Sequence, residues 1–168
     1  NTGALRVCTG KYTGRAPNDK FIVDTPEIST DIWWENNKHF SHEQFRHLYY
    51  RVLDCLKDKE FFVFNGYAGA DPTYMMPIQV INELAWQNIF VQQLFIRPDS
   101  EINITNCKGM TIVCVPGFKA TPTIDGTNSE AFVILNLPKR MILIGGTHYA
   151  GEIKKALFTA VNYFLPKQ

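Results

Sequence analysis

Three short segments rich in β-branched and aliphatic residues follow one another in the second half of the chain, at residues 110–115, 131–135 and 141–144. Runs of this length and composition are typical of β-strands. The last run leads through two glycines into a helical pattern at about residues 151–163. Strand runs interspersed with helices predict an α/β (mixed α+β) fold, a single domain with a mixed β-sheet flanked by helices.

The first half of the chain carries similar signals. Apolar residues fall on one helical face from Phe45 to Leu56, and Ser41 with Gln44 three positions later matches a capping box, which marks the start of that helix. We expect Asn65-Gly66 to end one strand and Pro77 to need an edge position or a bulge. Further strands are predicted at residues 3–7, 21–23, 61–64 and 74–81, and a second helix at residues 83–95.

Composition excludes several classes of function. Seventeen Lys and Arg against sixteen Asp and Glu give a net charge of +1, so nothing favours nucleic acid or an anionic membrane as a partner. The four cysteines (Cys8, Cys55, Cys107 and Cys114) lack the spacing of a zinc site or a disulfide framework. No apolar run approaches the roughly 20 residues needed to cross a bilayer. We therefore expect a soluble protein of the cytoplasm.

The loop at residues 12–20 is the first candidate site. It reads Tyr-Thr-Gly-Arg-Ala-Pro-Asn-Asp-Lys, in which Gly14 allows backbone conformations closed to other residues and Pro17 restricts the chain just past Arg15. The guanidinium of Arg15 can then be held in a defined direction, and its planar donors match a carboxylate. The alternative is an ordinary exposed arginine in a loop.

The second candidate lies at residues 145–155, between a buried strand and a helix. Its glycines let a ligand approach the backbone, and the free N–H groups of a first helical turn favour anions. Lys154 and Lys155 point about 100° apart on a helix, so they can serve two different groups. The segment lacks the G-x-x-x-x-G-K-[ST] spacing of a phosphate-binding loop, and a simple charged helix face remains the alternative.

Taken together, these segments resemble the ATP-dependent phosphoenolpyruvate carboxykinases. The resemblance covers essentially the whole chain, and it rests on the order and spacing of modest motifs. The sequence departs from the commonest family wording at Ala16 and Asn18, where Ser and Lys are frequent. The matching stretches are residues 12–15, 17, 19–23, 85–87, 94–98, 128–132, 144–147, 149–152, 154–155 and 162–166.

The resemblance implies roles that spacing alone does not supply. Family members convert oxaloacetate and ATP to phosphoenolpyruvate, CO2 and ADP in gluconeogenesis or fermentation, with Mg2+ on the nucleotide and Mn2+ in the site. Arg15 is expected to hold the substrate carboxylate and Tyr149 to line the same pocket. Lys154 is expected to contact the transferred phosphoryl group and the enolate oxygen. Lys155 matches a lysine that binds Mn2+ through a neutral amine; Arg15, Lys154 and Lys155 are thus the expected catalytic residues.

The resemblance also implies that residues 1–168 are the N-terminal, substrate-binding domain, truncated at both ends. The phosphate-binding loop, the remaining Mn2+ ligands and a second substrate arginine are expected in a C-terminal nucleotide-binding domain, which would be a partner of this one. The fragment alone is therefore expected to be inactive and to bind no cofactor tightly. Two alternatives remain, a stand-alone dicarboxylate-binding module without catalysis and a purely structural interaction domain.

Overall fold

The computed structural model of the chain describes residues 3–98 and 109–167. In these residues seven strands form one mixed sheet in the order β2-β1-β6-β7-β5-β4-β3. The strands are β1 (Lys20–Asp24), β2 (Lys38–Ser41), β3 (Phe62–Ala68), β4 (Met76–Asn82), β5 (Met110–Val115), β6 (Phe132–Asn136) and β7 (Met141–Gly145); the helices are α1 (His42–Leu56), α2 (Ala85–Leu94), α3 (Pro122–Asp125) and α4 (Gly151–Phe164). The predicted mixed fold class is confirmed.

Helices cover both faces of the sheet, and the central strands alternate between two cores. On β6, Val133 and Leu135 pack in the core with α2 and α4, whereas Phe132 and Ile134 pack in the core with α1. Every residue of β6 is consequently buried. This explains why the central strands read as continuous apolar runs, because a strand that is buried on both faces needs no polar alternation.

The start of α1 is the one that the sequence predicts. The Ser41 hydroxyl accepts a hydrogen bond from the Gln44 backbone N–H at 3.1 Å, and the Gln44 side chain accepts one from the Ser41 N–H at 3.2 Å. The reciprocal capping box is therefore confirmed.

Two local predictions are wrong. Residues 3–7 are not a strand. Asn65-Gly66 does not end β3, which continues to Ala68; a Cβ on Gly66 would lie 2.5 Å from the Ile96 carbonyl oxygen, so this glycine lets the chain approach closely inside a strand. The conformational freedom of Gly14 is not used, because its φ is not positive, whereas Gly10, two residues before the loop, has a φ of 65°.

Pro77 lies in an inner strand, but at its own position the described part of the sheet has a neighbour on the β3 side only, which is locally the edge position that the sequence predicts. Its partner on β3 is Tyr67, whose backbone N–H donates to the Ile96 carbonyl oxygen and whose carbonyl oxygen accepts from the Ile96 N–H. Tyr67 and Pro77 are therefore a pair without mutual hydrogen bonds. The nitrogen of Pro77 then faces the β5 side, where the ladder begins one residue later at Ile78. The proline consequently costs no ladder hydrogen bond.

None of the helices found in the described part of the chain combines the length and the apolar character needed to span a membrane. Cys8, Cys55 and Cys114 are free thiols, and Cys107 lies outside the described residues.

We predict that Gly146→Ala destabilises the fold by more than about 2 kcal/mol, because an alanine there combines a positive φ with a steric clash. Gly146 has a φ of 67°, and its added Cβ would lie 2.1 Å from the Glu130 carbonyl oxygen. Urea unfolding of both proteins measures the change. Gly14→Ala is the control, since a Cβ there would meet no atom within 4 Å; equal effects of the two changes would contradict the prediction.

Candidate functional site

Strand direction brings the two candidate segments together. β1 runs parallel to β6 and β7 runs antiparallel to it, so β1 begins at the same edge of the sheet at which β7 ends. Lys20, the first residue of β1, pairs with Val133, and Gly145, the last residue of β7, pairs with Phe132. The loop at residues 12–20 and the start of α4 therefore meet at this edge, although more than a hundred residues separate them in sequence.

A buried carboxylate joins the two segments. Glu152, in the first turn of α4, is 6% exposed, and its Oε1 accepts a hydrogen bond of 2.6 Å from the Ala16 backbone N–H. Burial raises the pKa of Glu152 above 4.5, while the Ala16 hydrogen bond and the charges of Arg15 and Lys20 oppose that rise. Glu152 therefore anchors the loop next to Arg15 onto the helix.

Arg15 and Lys155 line one cleft of about 330 Å³ beside α4. Both residues are exposed. The Lys155 ammonium lies 5.8 Å from the centroid of the Phe158 ring. Glu152 and Lys20 line the same cleft. Three cations and one carboxylate thus surround it, an arrangement suited to a small anion.

Lys154 lies on another side of α4. It lines a neighbouring, mainly apolar cleft together with Leu94 and Phe95, where α2 ends, and Phe158 borders both clefts. The structure therefore brings Arg15 and Lys155 together but does not bring Lys154 into their cleft. This division agrees with the angle of about 100° between successive side chains on a helix.

Tyr149 lines neither of these two clefts. Its ring packs closely over Gly151, the first residue of α4. A Cβ on Gly151 would lie only 2.5 Å from that ring. The backbone N–H of Tyr149 donates to the Thr147 hydroxyl at 3.2 Å. The glycine at position 151 therefore makes room for the tyrosine at the helix start.

Gln87 is a supporting residue that sequence reasoning missed. It is fully buried on α2, and its Nε2 donates to the His148 carbonyl oxygen at 3.1 Å. Its Oε1 accepts from the Cys114 thiol at 3.6 Å. Gln87 thereby fastens the loop that carries Tyr149 to β5 and α2. Gln87 is one of four amide side chains on α2, so the sequence does not single it out or identify its partner.

The residues of the described chain do not by themselves fit a metal ion. No group of three or more His, Cys, Asp or Glu side chains that could hold one occurs in residues 3–98 and 109–167. Glu152 is the one carboxylate that lines the cleft, and one of its oxygens is already engaged by Ala16. A Mn2+ ion at Lys155 would need ligands from elsewhere.

The whole chain resembles known proteins. A family profile described as "Phosphoenolpyruvate carboxykinase" matches residues 1–168. "Phosphoenolpyruvate carboxykinase (ATP)" of Caldanaerobacter subterraneus subsp. tengcongensis is 54% identical over 168 residues, and "Phosphoenolpyruvate carboxykinase (ATP) 1" of Moorella thermoacetica is 54% identical over 169. The Bacillus cereus protein named "Phosphoenolpyruvate carboxykinase (ATP)" is 55% identical over 170. Each match covers 100% of this chain and 32% of the relative, so the chain spans about a third of these proteins.

We predict that Glu152 makes folding less favourable as pH rises. Its pKa is raised in the folded state, so its contribution to stability is fully present below about pH 4.5 and is lost as pH rises through the folded pKa. The unfolding free energy of the wild type, measured relative to Glu152→Gln, should fall as pH rises above about 4.5. Exposed Glu60 provides the control variant, Glu60→Gln; a flat or rising difference for Glu152→Gln would refute the prediction.

Proposed function

The chain belongs to the ATP-dependent phosphoenolpyruvate carboxykinase family, and from that premise we propose that it supplies the substrate-carboxylate side of a carboxykinase active site. The reaction proposed for the whole protein is the conversion of oxaloacetate and ATP to phosphoenolpyruvate, CO2 and ADP. The observation that carries the proposal is the single cleft lined by Arg15 and Lys155. Two segments that are distant in sequence supply its cations, and a buried hydrogen bond joins those segments.

Substrate, enolate intermediate and product of the proposed reaction all carry a carboxylate that a cationic cleft can bind. In the proposed reaction the bond between the methylene carbon and the departing carboxylate of oxaloacetate breaks, and its electron pair is left as an enolate. The enolate oxygen then attacks the γ-phosphorus of ATP, and ADP leaves. Arg15 is proposed to hold the carboxylate that stays with the product, because a guanidinium binds a carboxylate through two parallel hydrogen bonds and so fixes its direction.

The other three assignments follow the family resemblance. Tyr149 is proposed to border the bound substrate from the loop that Gln87 fastens. Lys154 is proposed to act on a different part of the reacting system from Lys155, which fits their separate clefts; positive charge there would stabilise the enolate oxygen and the transferred phosphoryl group. Lys155 is proposed as a Mn2+ ligand only in the whole protein, with other ligands contributed from beyond this chain.

The nucleotide side of the reaction is proposed to belong to the rest of the protein. Residues 1–168 contain no G-x-x-x-x-G-K-[ST] segment. The chain also spans only 32% of its relatives. ATP, Mg2+ and a C-terminal nucleotide-binding domain therefore enter the proposal as partners of the whole protein, which we place in the cytoplasm.

We predict that Arg15→Gln weakens oxalate binding to this chain by about 10- to 100-fold, because a hydrogen bond to a charged group contributes about 1.5–3 kcal/mol. Titration of the isotope-labelled protein with oxalate, followed by NMR, measures the dissociation constant. Arg46→Gln on α1 is the matched control and should bind as the wild type does. If the wild type gives no shift changes around this cleft, or if Arg15→Gln binds oxalate normally, the proposed function is wrong.

We also predict that the chain alone, given ATP, Mn2+ and oxaloacetate, forms no phosphoenolpyruvate above background. Positioning of the γ-phosphoryl group accounts for most of the catalysis of phosphoryl transfer, and no phosphate-binding loop is present in the sequence. An assay that couples phosphoenolpyruvate to a measurable product tests this, with a full-length relative as the positive control. Measurable turnover by the chain would overturn the division of labour proposed above.

A further inference from the structure

Lys20 is a cation of the cleft to which neither the motifs nor the resemblance gave a role. It begins β1 at the sheet edge where the two candidate segments meet, and it lines the cleft with Arg15 and Lys155. Its side chain is half-buried, unlike those of the two exposed cations. Lys20 therefore reaches the cleft from a strand, whereas Arg15 reaches it from a loop and Lys155 from a helix.

The presence of Lys20 in the cleft is not explained by a salt bridge that stabilises the fold. Within residues 3–98 and 109–167, its ammonium makes no hydrogen bond and no close ion pair. Glu152, the one carboxylate that lines the cleft, uses its Oε1 to accept from Ala16. The neighbouring buried carboxylate of Asp19 accepts from the Asn128 side chain. Both carboxylates that neighbour Lys20 in the fold thus have other partners.

The lowered pKa of Lys20 agrees with a positive charge that its surroundings compensate only in part. Burial is the main cause that lowers the pKa of Lys20, and the charge of Arg15 acts in the same direction, while Glu152 opposes them. A half-buried cation without a close partner is costly, and an anion that enters the cleft would remove part of that cost. A ligand with a second negative charge would gain most from it.

We infer that Lys20 binds the second carboxylate of a dianionic ligand whose first carboxylate is held by Arg15. This inference rests on the proposed carboxylate-binding function of the cleft and adds a determinant of specificity to it. Lys20 distinguishes dicarboxylates from monocarboxylates, because only a dianion can satisfy both cations at once. Arg15 alone would accept either class.

The test compares oxalate with acetate, a dianion with a monoanion. NMR titrations give both dissociation constants for the wild type, Lys20→Gln, Lys20→Arg and the exposed control Lys139→Gln. We expect Lys20→Gln to weaken oxalate binding about tenfold or more while acetate binding changes less than twofold. Lys20→Arg should retain most of the preference for oxalate, and Lys139→Gln should not differ from the wild type.

A measurement on the unaltered protein covers the case in which Lys20→Gln does not fold. The side-chain 13Cε signal of Lys20 should shift when oxalate is added, and that of Lys139 should not. Equal losses of oxalate and acetate affinity, or an unshifted Lys20 signal at saturating oxalate, would overturn the inference and leave the role of Arg15 intact. A wild type that binds neither anion would instead overturn the proposed function itself.

Discussion

The hydrogen bond between the Ala16 backbone N–H and the Glu152 carboxylate is the interaction on which the candidate site depends. It spans 136 residues of sequence and connects the loop of Arg15 to the first turn of α4. A buried carboxylate is unfavourable without donors and nearby cations, and here Ala16, Arg15 and Lys20 supply them. The same contact therefore orients the cationic loop and compensates for the burial of the anion.

Strand order makes that contact possible. β6 lies between β1 and β7, parallel to the first and antiparallel to the second, so one edge of the sheet receives both the beginning of β1 and the end of β7. The turn after β7 also has to clear the chain that precedes β6. Gly146 meets this demand, because any side chain there would overlap the Glu130 carbonyl group. The two glycines after β7, which the sequence analysis interprets as allowing a ligand to approach the backbone, thus have a packing role as well.

The side of α4 on which each residue lies separates the candidate groups. Lys155 and Glu152 face the cleft of Arg15, whereas Lys154 faces the end of α2. Tyr149 precedes the helix and lies against Gly151. Its loop is held in place by the hydrogen bond from the Gln87 side chain to the His148 carbonyl oxygen. A ligand that contacts all of these groups would have to reach around the start of the helix.

Local rules were sufficient for much of the fold. The sequence alone determined the capped start of α1, the three apolar strands β5, β6 and β7, the start of α4 and the family, because capping, hydrophobic period and motif order are properties of neighbouring residues. It failed at residues 3–7 and at Asn65-Gly66, and in the second case non-local pairing with β4 and Ile96 carries β3 past the expected end. Only the tertiary structure decided that Glu152 holds the loop of Arg15, that Gln87 supports Tyr149 and that Lys20 joins the cleft while Lys154 does not. Those contacts depend on strand direction and burial, which are set by the assembled sheet and cannot be read from sequence spacing.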